Sequence, residues 1–328
     1  MKKSLIALAV LAATGAASAQ SSLNLYGVAD IWLGKTKNAD AQFGSGGLAG
    51  SRIGFKGTED LGGGLKAHFV LEQGVNLTNG TAAGFNRQAN VGVSGQFGTV
   101  KIGRVYTAFD DINGAANSGF DSDLSATAGT WVGYTGNPTG QIYYASPVFN
   151  GISGAVSLTP QGNKSATNPD VTSLHLKYSN GPIYAGVAYQ DEAPTTGSSV
   201  KYFLVNGSYD LGMVVLKASY RNVDNTNASN TLYNIFSNRK ADEFQVGADY
   251  PVNSQLTVSV GYASSKLKGV DTRLGANPTS GSIQNAEGYG VAAGYALSKR
   301  TTVYGGLRAN KVNGTSDSLV AAGVSHAF

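Results

Sequence analysis

Cysteine is absent from the 328 residues, histidine occurs three times and proline eight times. The missing cysteine leaves no thiol for a disulfide; it is compatible with export without establishing it. Charged residues make up 13% of the chain, about half of the roughly 25% found in an average soluble domain. After the first twenty residues no apolar run approaches the roughly 20 residues that a membrane-spanning helix needs. The segment Gly57–Gly64 is rich in glycine, but no Gly-Lys-Ser/Thr follows it, which excludes a phosphate-binding loop.

What the chain does have is alternation. Ser51-Arg52-Ile53-Gly54-Phe55-Lys56-Gly57 places Ile53, Phe55 and Gly57 on one face and Arg52, Gly54 and Lys56 on the other. Leu65 to Glu72 repeats the pattern, with Leu65, Ala67, Phe69 and Leu71 set against Lys66, His68 and Glu72. Period two marks a strand with one apolar and one polar face. The polar, glycine-rich segment between the arms makes the pair a hairpin. A soluble sandwich packs such an apolar face on a core, whereas a membrane barrel turns it to lipid and its charges to water.

Met1-Lys2-Lys3, the apolar run Leu5–Ala13 and Ala17-Ser18-Ala19 form a basic, apolar and small-x-small series. It predicts a signal peptide over 1–19 and a mature chain, one domain, over 20–328. Losing Lys2 and Lys3 lowers the formal charge from +4 to +2. A sequence pI near 9.0 therefore does not argue for a nucleic-acid partner.

Strand 1 is expected over about Leu23–Leu33, strands 2 and 3 in the hairpin, strand 4 around Ala89, Val91 and Val93, and strand 5 ending at Gly103-Arg104. From Val105 to Gly140 alternation fails, and a structureless segment of that length is usually functional or disordered. The rhythm then resumes around short turns such as Asn150-Gly151, Asn180-Gly181-Pro182 and Asp210-Leu211-Gly212, which are hairpin signals. Five strands before the irregular segment and eleven after it make about sixteen, the even number expected of a bacterial barrel. Short turns alternate with longer polar loops near 35–49, 77–84, 105–140, 160–170, 191–198, 222–240, 265–286 and 310–315. That alternation is the arrangement of a barrel with periplasmic turns and external loops. Tyrosines repeatedly end the apolar rows, as in Leu174-Leu176-Tyr178, Val214-Leu216-Ala218-Tyr220 and Phe244-Val246-Ala248-Tyr250, where a lipid–water boundary recruits aromatic rings.

Leu25-Tyr26-Gly27-Val28, Ser51 to Gly57, Glu59-Asp60-Leu61-Gly62-Gly63-Gly64-Leu65-Lys66-Ala67, Asn86-Arg87-Gln88, Phe97-Gly98-Thr99-Val100, Gly103-Arg104 and a final Phe328 occur in this order. Together they resemble the Gram-negative trimeric general-diffusion porins, in particular those of the betaproteobacterial type. The resemblance implies an all-β, 16-stranded antiparallel transmembrane barrel in the outer membrane, assembled as a homotrimer and passing ions and small hydrophilic solutes by passive diffusion. It also implies contact with outer-membrane lipid and lipopolysaccharide, and recognition of Phe328 by the outer-membrane assembly machinery. Small residues near the seam, Gly27, Ala29, Ala321 and Ala322, are read as outward-facing and suited to close packing between subunits.

In such porins the third external loop, here Val105–Gly140, folds into the lumen opposite a cluster of wall arginines. This places Asp110, Asp111, Asp121 and Asp123 on the loop. Arg52, Arg87 and Arg104 lie on the wall, with Lys56 and Glu72 facing inward by phase. Arg87 shares parity with the apolar Ala89, Val91 and Val93; a bulge, or a strand that begins after it, would reconcile the two. Arg104 shares parity with Val100 and Ile102 and meets the same difficulty. No third wall arginine follows the loop, where Gln141-Ile142-Tyr143-Tyr144 stands, which points to no more than a weak anion preference. Lys66 and Lys217 are read as solvated lumen residues without a special role.

An enzyme would need a nucleophile beside a positioned base. His326 falls on the lipid parity, and His68 and His175 lie on distant strands without a motif. No catalytic residue, cofactor site or metal ligand set is therefore assigned. A channel selective for sugars or organic acids is the nearer alternative, and Tyr143, Tyr202 and Tyr304 would be its inward aromatic track. A purely structural barrel would differ from a porin in having no conductance.

Overall fold

The computed structural model describes residues 22–160, 169–193, 199–225, 239–268, 285–312 and 314–328. The expected signal peptide, 1–19, lies outside them, as do parts of the expected loops at 160–170, 191–198, 222–240 and 265–286. Before the irregular segment run β1 (Ser22–Thr36), β2 (Gln42–Ser45), β3 (Arg52–Gly62), β4 (Leu65–Gly74), β5 (Gln88–Gly95) and β6 (Gly98–Arg104). After it come β7 (Gln141–Ala145), β8 (Ile152–Leu158), β9 (Asp170–Asn180), β10 (Ile183–Ala193), β11 (Val200–Asp210) and β12 (Val215–Asn225). The series ends with β13 (Arg239–Pro251), β14 (Leu256–Lys268), β15 (Ala286–Ala296), β16 (Thr301–Val312) and β17 (Thr315–Ala327).

All the pairings are antiparallel, and β1 pairs with β17 from Val28↔Ala327 to Thr36↔Leu319, which closes the sheet. Closure removes the unpaired edge that an open sheet would offer to other chains. The wall has sixteen strand positions, because β2 and β3 share one. Ile31–Gly34 of β1 pair with β2, and Ser22–Val28 pair with β3. Side chains invert the order of a soluble protein. Leu174 and Leu176 are 47% and 52% exposed, whereas their neighbours Ser173 and His175 are 1% and 6% exposed. Apolar groups face out to lipid and polar groups face in, as in a membrane barrel. Tyr178 and Tyr250 lie near the short turns, and Tyr189, Tyr220 and Tyr262 lie toward the loops, forming two aromatic belts. Among the described residues no helix is long and apolar enough to cross a membrane.

Several expectations are corrected. The loop at 35–49 contains a strand, β2, because Asp30 draws the following backbone inward. The buried Asp30 carboxylate accepts the N–H groups of Gly47, Leu48 and Ala49 at 2.9, 3.1 and 3.0 Å. Gly47 comes so close to the wall that a Cβ there would lie 2.4 Å from the Tyr304 hydroxyl. In place of the expected loop at 310–315, β16 and β17 pair as far as Val312 with Thr315; the strict alternation of long and short connections ends there. β13 begins at Arg239 and β14 continues to Lys268, so both strands project beyond the expected limits. Ala321 faces inward and packs with Tyr304 and Leu319. Adjacent strand residues point to opposite sides, so only Ala322 of that pair faces out. Gly27 faces outward but is covered by the Phe328 ring.

Candidate functional site

Residues 105–140 turn back into the barrel and run along its inner wall. Ala108 and Phe109 donate their N–H groups to Ser157 and Ser173 at 3.2 and 3.3 Å, and His175 Nδ1 donates to the Ala108 carbonyl at 2.6 Å. A short helix, α1 (Asp110–Asn113), follows. Asn206 Nδ2 and Lys217 Nζ then donate to the carbonyls of Ile112 and Asn117. Gly119 N–H donates to Ser259 Oγ at 2.7 Å, and Arg308 Nη1 to the Asp123 carbonyl at 2.7 Å. On the return, Val132 N–H donates to Glu243 Oε1 at 2.6 Å and Thr135 N–H to Glu192 Oε1 at 2.7 Å. The polar inner faces of eight wall strands thus satisfy backbone groups that a buried loop would otherwise leave unpaired. Lys217 is therefore not an idle lumen residue: it ion-pairs with Asp249 and holds the loop.

The charged wall centres on Glu72, whose side chain is 4% exposed. Arg87 Nε lies 2.8 Å from Glu72 Oε1, Arg52 Nε 3.5 Å from Oε2, and Tyr26 Oη donates to Oε2 at 2.9 Å. Two guanidinium groups share one carboxylate, so the cluster keeps a net positive charge. β5 begins at Gln88, one residue after Arg87. Arg87 therefore escapes the strand parity and reaches inward, where it also lies 5.8 Å from the Tyr106 ring centre. Arg104 comes inside because Gly103 takes φ +127°, which breaks the alternation ahead of it. Its Nε donates to the Asn137 carbonyl at 3.1 Å, so it ties down the loop's exit rather than joining the cluster. Lys56 sits further down the wall, 4.9 Å from the Tyr26 ring centre.

The four loop aspartates are not one group. Asp110 accepts the Tyr134 hydroxyl at 2.6 Å, and burial pushes its pKa up to about 6, with Arg87 close enough to lower it. Asp111 turns the other way, accepting from Tyr143 at 2.6 Å with His175 beside it. Burial raises its pKa as well. Asp121 and Asp123, also raised by burial, line a cavity of about 350 Å³ with Gly46–Gly50, Trp131 and Arg221. The structure therefore gathers Arg52, Arg87 and Glu72, sets Asp110 near them, and distributes the rest.

Arg221 was missed. Its side chain is 1% exposed, paired with the fully buried Glu243, hydrogen-bonded to the Val132 carbonyl and covered by the Trp131 ring at 4.8 Å. Its signal was parity: Tyr220 and Phe244 face lipid, which turns Arg221 and Glu243 inward. The expected aromatic track is also corrected. Tyr143, Tyr202 and Tyr304 do point inward, but they are buried, with hydroxyls donated to Asp111, the Gly133 carbonyl and Asp30. Rings covered by the loop present no stacking face to a sugar.

The profile of the Gram-negative porins matches residues 5–315. The outer membrane porin protein 32 of Delftia acidovorans is 32% identical over 301 residues, 83% of this chain and 82% of the relative. Among solved structures, an anion-selective porin from Comamonas acidovorans superposes with a TM-score of 0.78 at 23% identity, covering 94% of this chain and all of that one. OmpT of Vibrio cholerae, solved in a trimer form, gives 0.68 at 16% identity over 94% and 99% of the two chains. The sixteen-position barrel, its apolar exterior and polar lumen, and these matches lead to one conclusion: the chain belongs to the Gram-negative porin family, and it forms an outer-membrane channel for the passive diffusion of small hydrophilic solutes.

Proposed function

We propose that the inserted loop and the Arg52–Glu72–Arg87 wall form the constriction of this channel and give it a weak preference for anions. The observation that carries this reading is the sharing of one buried carboxylate by two guanidinium groups. A fixed surplus of positive charge in a narrow passage with low-dielectric walls favours anions. Asp110 provides the opposing charge, while Asp111 is turned to the wall, so the acidic side is diluted. Lys56 extends the basic wall below the cluster. The anion selectivity of the Comamonas porin is compatible with this assignment.

Arg52→Ala combined with Arg87→Ala is expected to shift the reversal potential in a salt gradient toward cation preference. An unchanged potential would overturn the reading. The same proposal takes the chain to be a homotrimer in outer-membrane lipid and lipopolysaccharide, as suits a relative in fold solved in a trimer form. It also takes residues 1–19 to be a cleaved export signal and Phe328 to be read by the assembly machinery. Deleting Phe328 is then expected to leave unassembled chain in the periplasm.

A further inference from the structure

The side of the loop that faces away from the charged wall rests on glycine. Gly247 of β13, Gly261 of β14 and Gly290 of β15 are register partners on three successive strands, and all three face the lumen. A Cβ on Gly261 would lie 1.7 Å from Ser118 Oγ and 2.5 Å from Ser118 Cβ; one on Gly247 would lie 2.4 Å from Ser118 Cβ. On Gly290 it would meet the Leu124 carbonyl oxygen at 2.5 Å. None of the three takes a positive φ, so the backbone conformation does not call for glycine there. Glycine inside a strand weakens it and often marks close approach by another backbone; here the loop makes that approach.

The same level of the wall carries the grips at either end. Lys217 is the register partner of Gly247, and Arg308 of Gly290. These two side chains hold the Asn117 and Asp123 carbonyls. Five adjacent strands therefore read cation, glycine, glycine, glycine, cation, with the loop segment lying across them. The cations are long enough to reach the loop, and the glycines let it sink to the wall between them.

We propose that the Gly247–Gly261–Gly290 notch sets the width of the channel by fixing how far the loop stands off the wall. A methyl group in the notch displaces the loop toward the opposite, arginine-bearing wall and narrows the passage. Turning the Ser118 hydroxyl does not relieve the contact at Gly261, because Ser118 Cβ is itself too close. The loop must withdraw by roughly 1–2 Å to restore ordinary carbon contacts. This inference rests on the reading that the loop is the constriction.

The test is single-channel conductance in planar bilayers, with solute uptake into liposomes as the second readout. Gly261→Ala is expected to lower conductance roughly 1.5-fold, because the narrower passage carries less current, and to slow larger neutral solutes more than small ones. Ser118→Gly in the same chain removes both atoms the new methyl group meets and is expected to restore conductance. Wild-type conductance in Gly261→Ala, or a fall that Ser118→Gly does not reverse, overturns the proposal. If Gly261→Ala gives no heat-resistant barrel, Ser118→Val presses on the same notch from the loop without altering a strand. It is expected to narrow the channel likewise, and wild-type conductance there overturns the proposal. Excising residues 115–122 separates the two levels of the argument. Unchanged conductance on excision refutes the constriction itself. Raised conductance on excision with wild-type conductance in Gly261→Ala refutes only the notch.

Discussion

The ring of Phe328 occupies the space in which a side chain at Gly27 would stand. A Cβ there would lie 2.4 Å from the ring's Cζ, and the Gly27 N–H and carbonyl are both bonded to Phe328, at 3.2 and 3.1 Å. The outward face of Gly27 is thus covered by the closing seam of its own chain. Gly27→Val is expected to expel the ring and destabilise the barrel by about 1–3 kcal/mol, the usual cost of overpacking. Urea unfolding in lipid vesicles would register this as a lower midpoint, and an unchanged midpoint would contradict the packing described.

Glu72 offers a prediction opposite in sign to removal of the arginines. Glu72→Gln keeps the shape of the side chain and removes the carboxylate that Arg52 and Arg87 share. Two uncompensated cations are then left on one wall. The reversal potential should move further toward anions, and a move toward cations would mean that the cluster does not govern selectivity.

Acidification should act in the same direction through Asp110. Its carboxyl titrates near 6 in the folded chain against an ordinary 3.8. Between those values the folded chain binds the extra proton, so the stability of the seated loop falls as pH rises through that window. Lowering the pH from 7 to 5 neutralises Asp110 and subtracts a negative charge near Arg87. Anion preference should therefore rise on acidification, and Asp110→Asn should remove the part of the rise centred near pH 6. Identical pH profiles in the two proteins would refute this.

Glu243 and Arg221 are the loop's buried anchor on the far wall. Glu243→Ala leaves the Arg221 guanidinium buried without its carboxylate and takes the acceptor from Val132 N–H. Breaking a buried pair in this way typically costs about 3–5 kcal/mol. The expected outcome is release of the loop around 131–135, seen as greater open-channel noise and as protease cleavage within that segment. A quiet channel resistant to protease would show that the anchor is dispensable.

The barrel was legible along the chain because a strand's side-chain period is two and every strand repeats it. Leu174-Leu176-Tyr178 and Phe244-Val246-Ala248-Tyr250 already assigned their own faces, and the failure of alternation over Val105–Gly140 marked the loop. Parity also turned Arg52, Lys56 and Glu72 inward without any tertiary information. The same rule misplaced Arg87 and Arg104, because it holds only inside a strand: one lies just before β5, and the other follows a glycine at positive φ. Register, closure and the path of the loop were decided only by the tertiary structure. The sharing of Glu72 by two arginines joins residues 15 and 20 apart in sequence. The notch that receives Ser118 is made by residues more than a hundred positions away. Local pattern determines which way each side chain points; which side chains meet across the lumen depends on where the closed sheet carries each strand, and no local pattern encodes that.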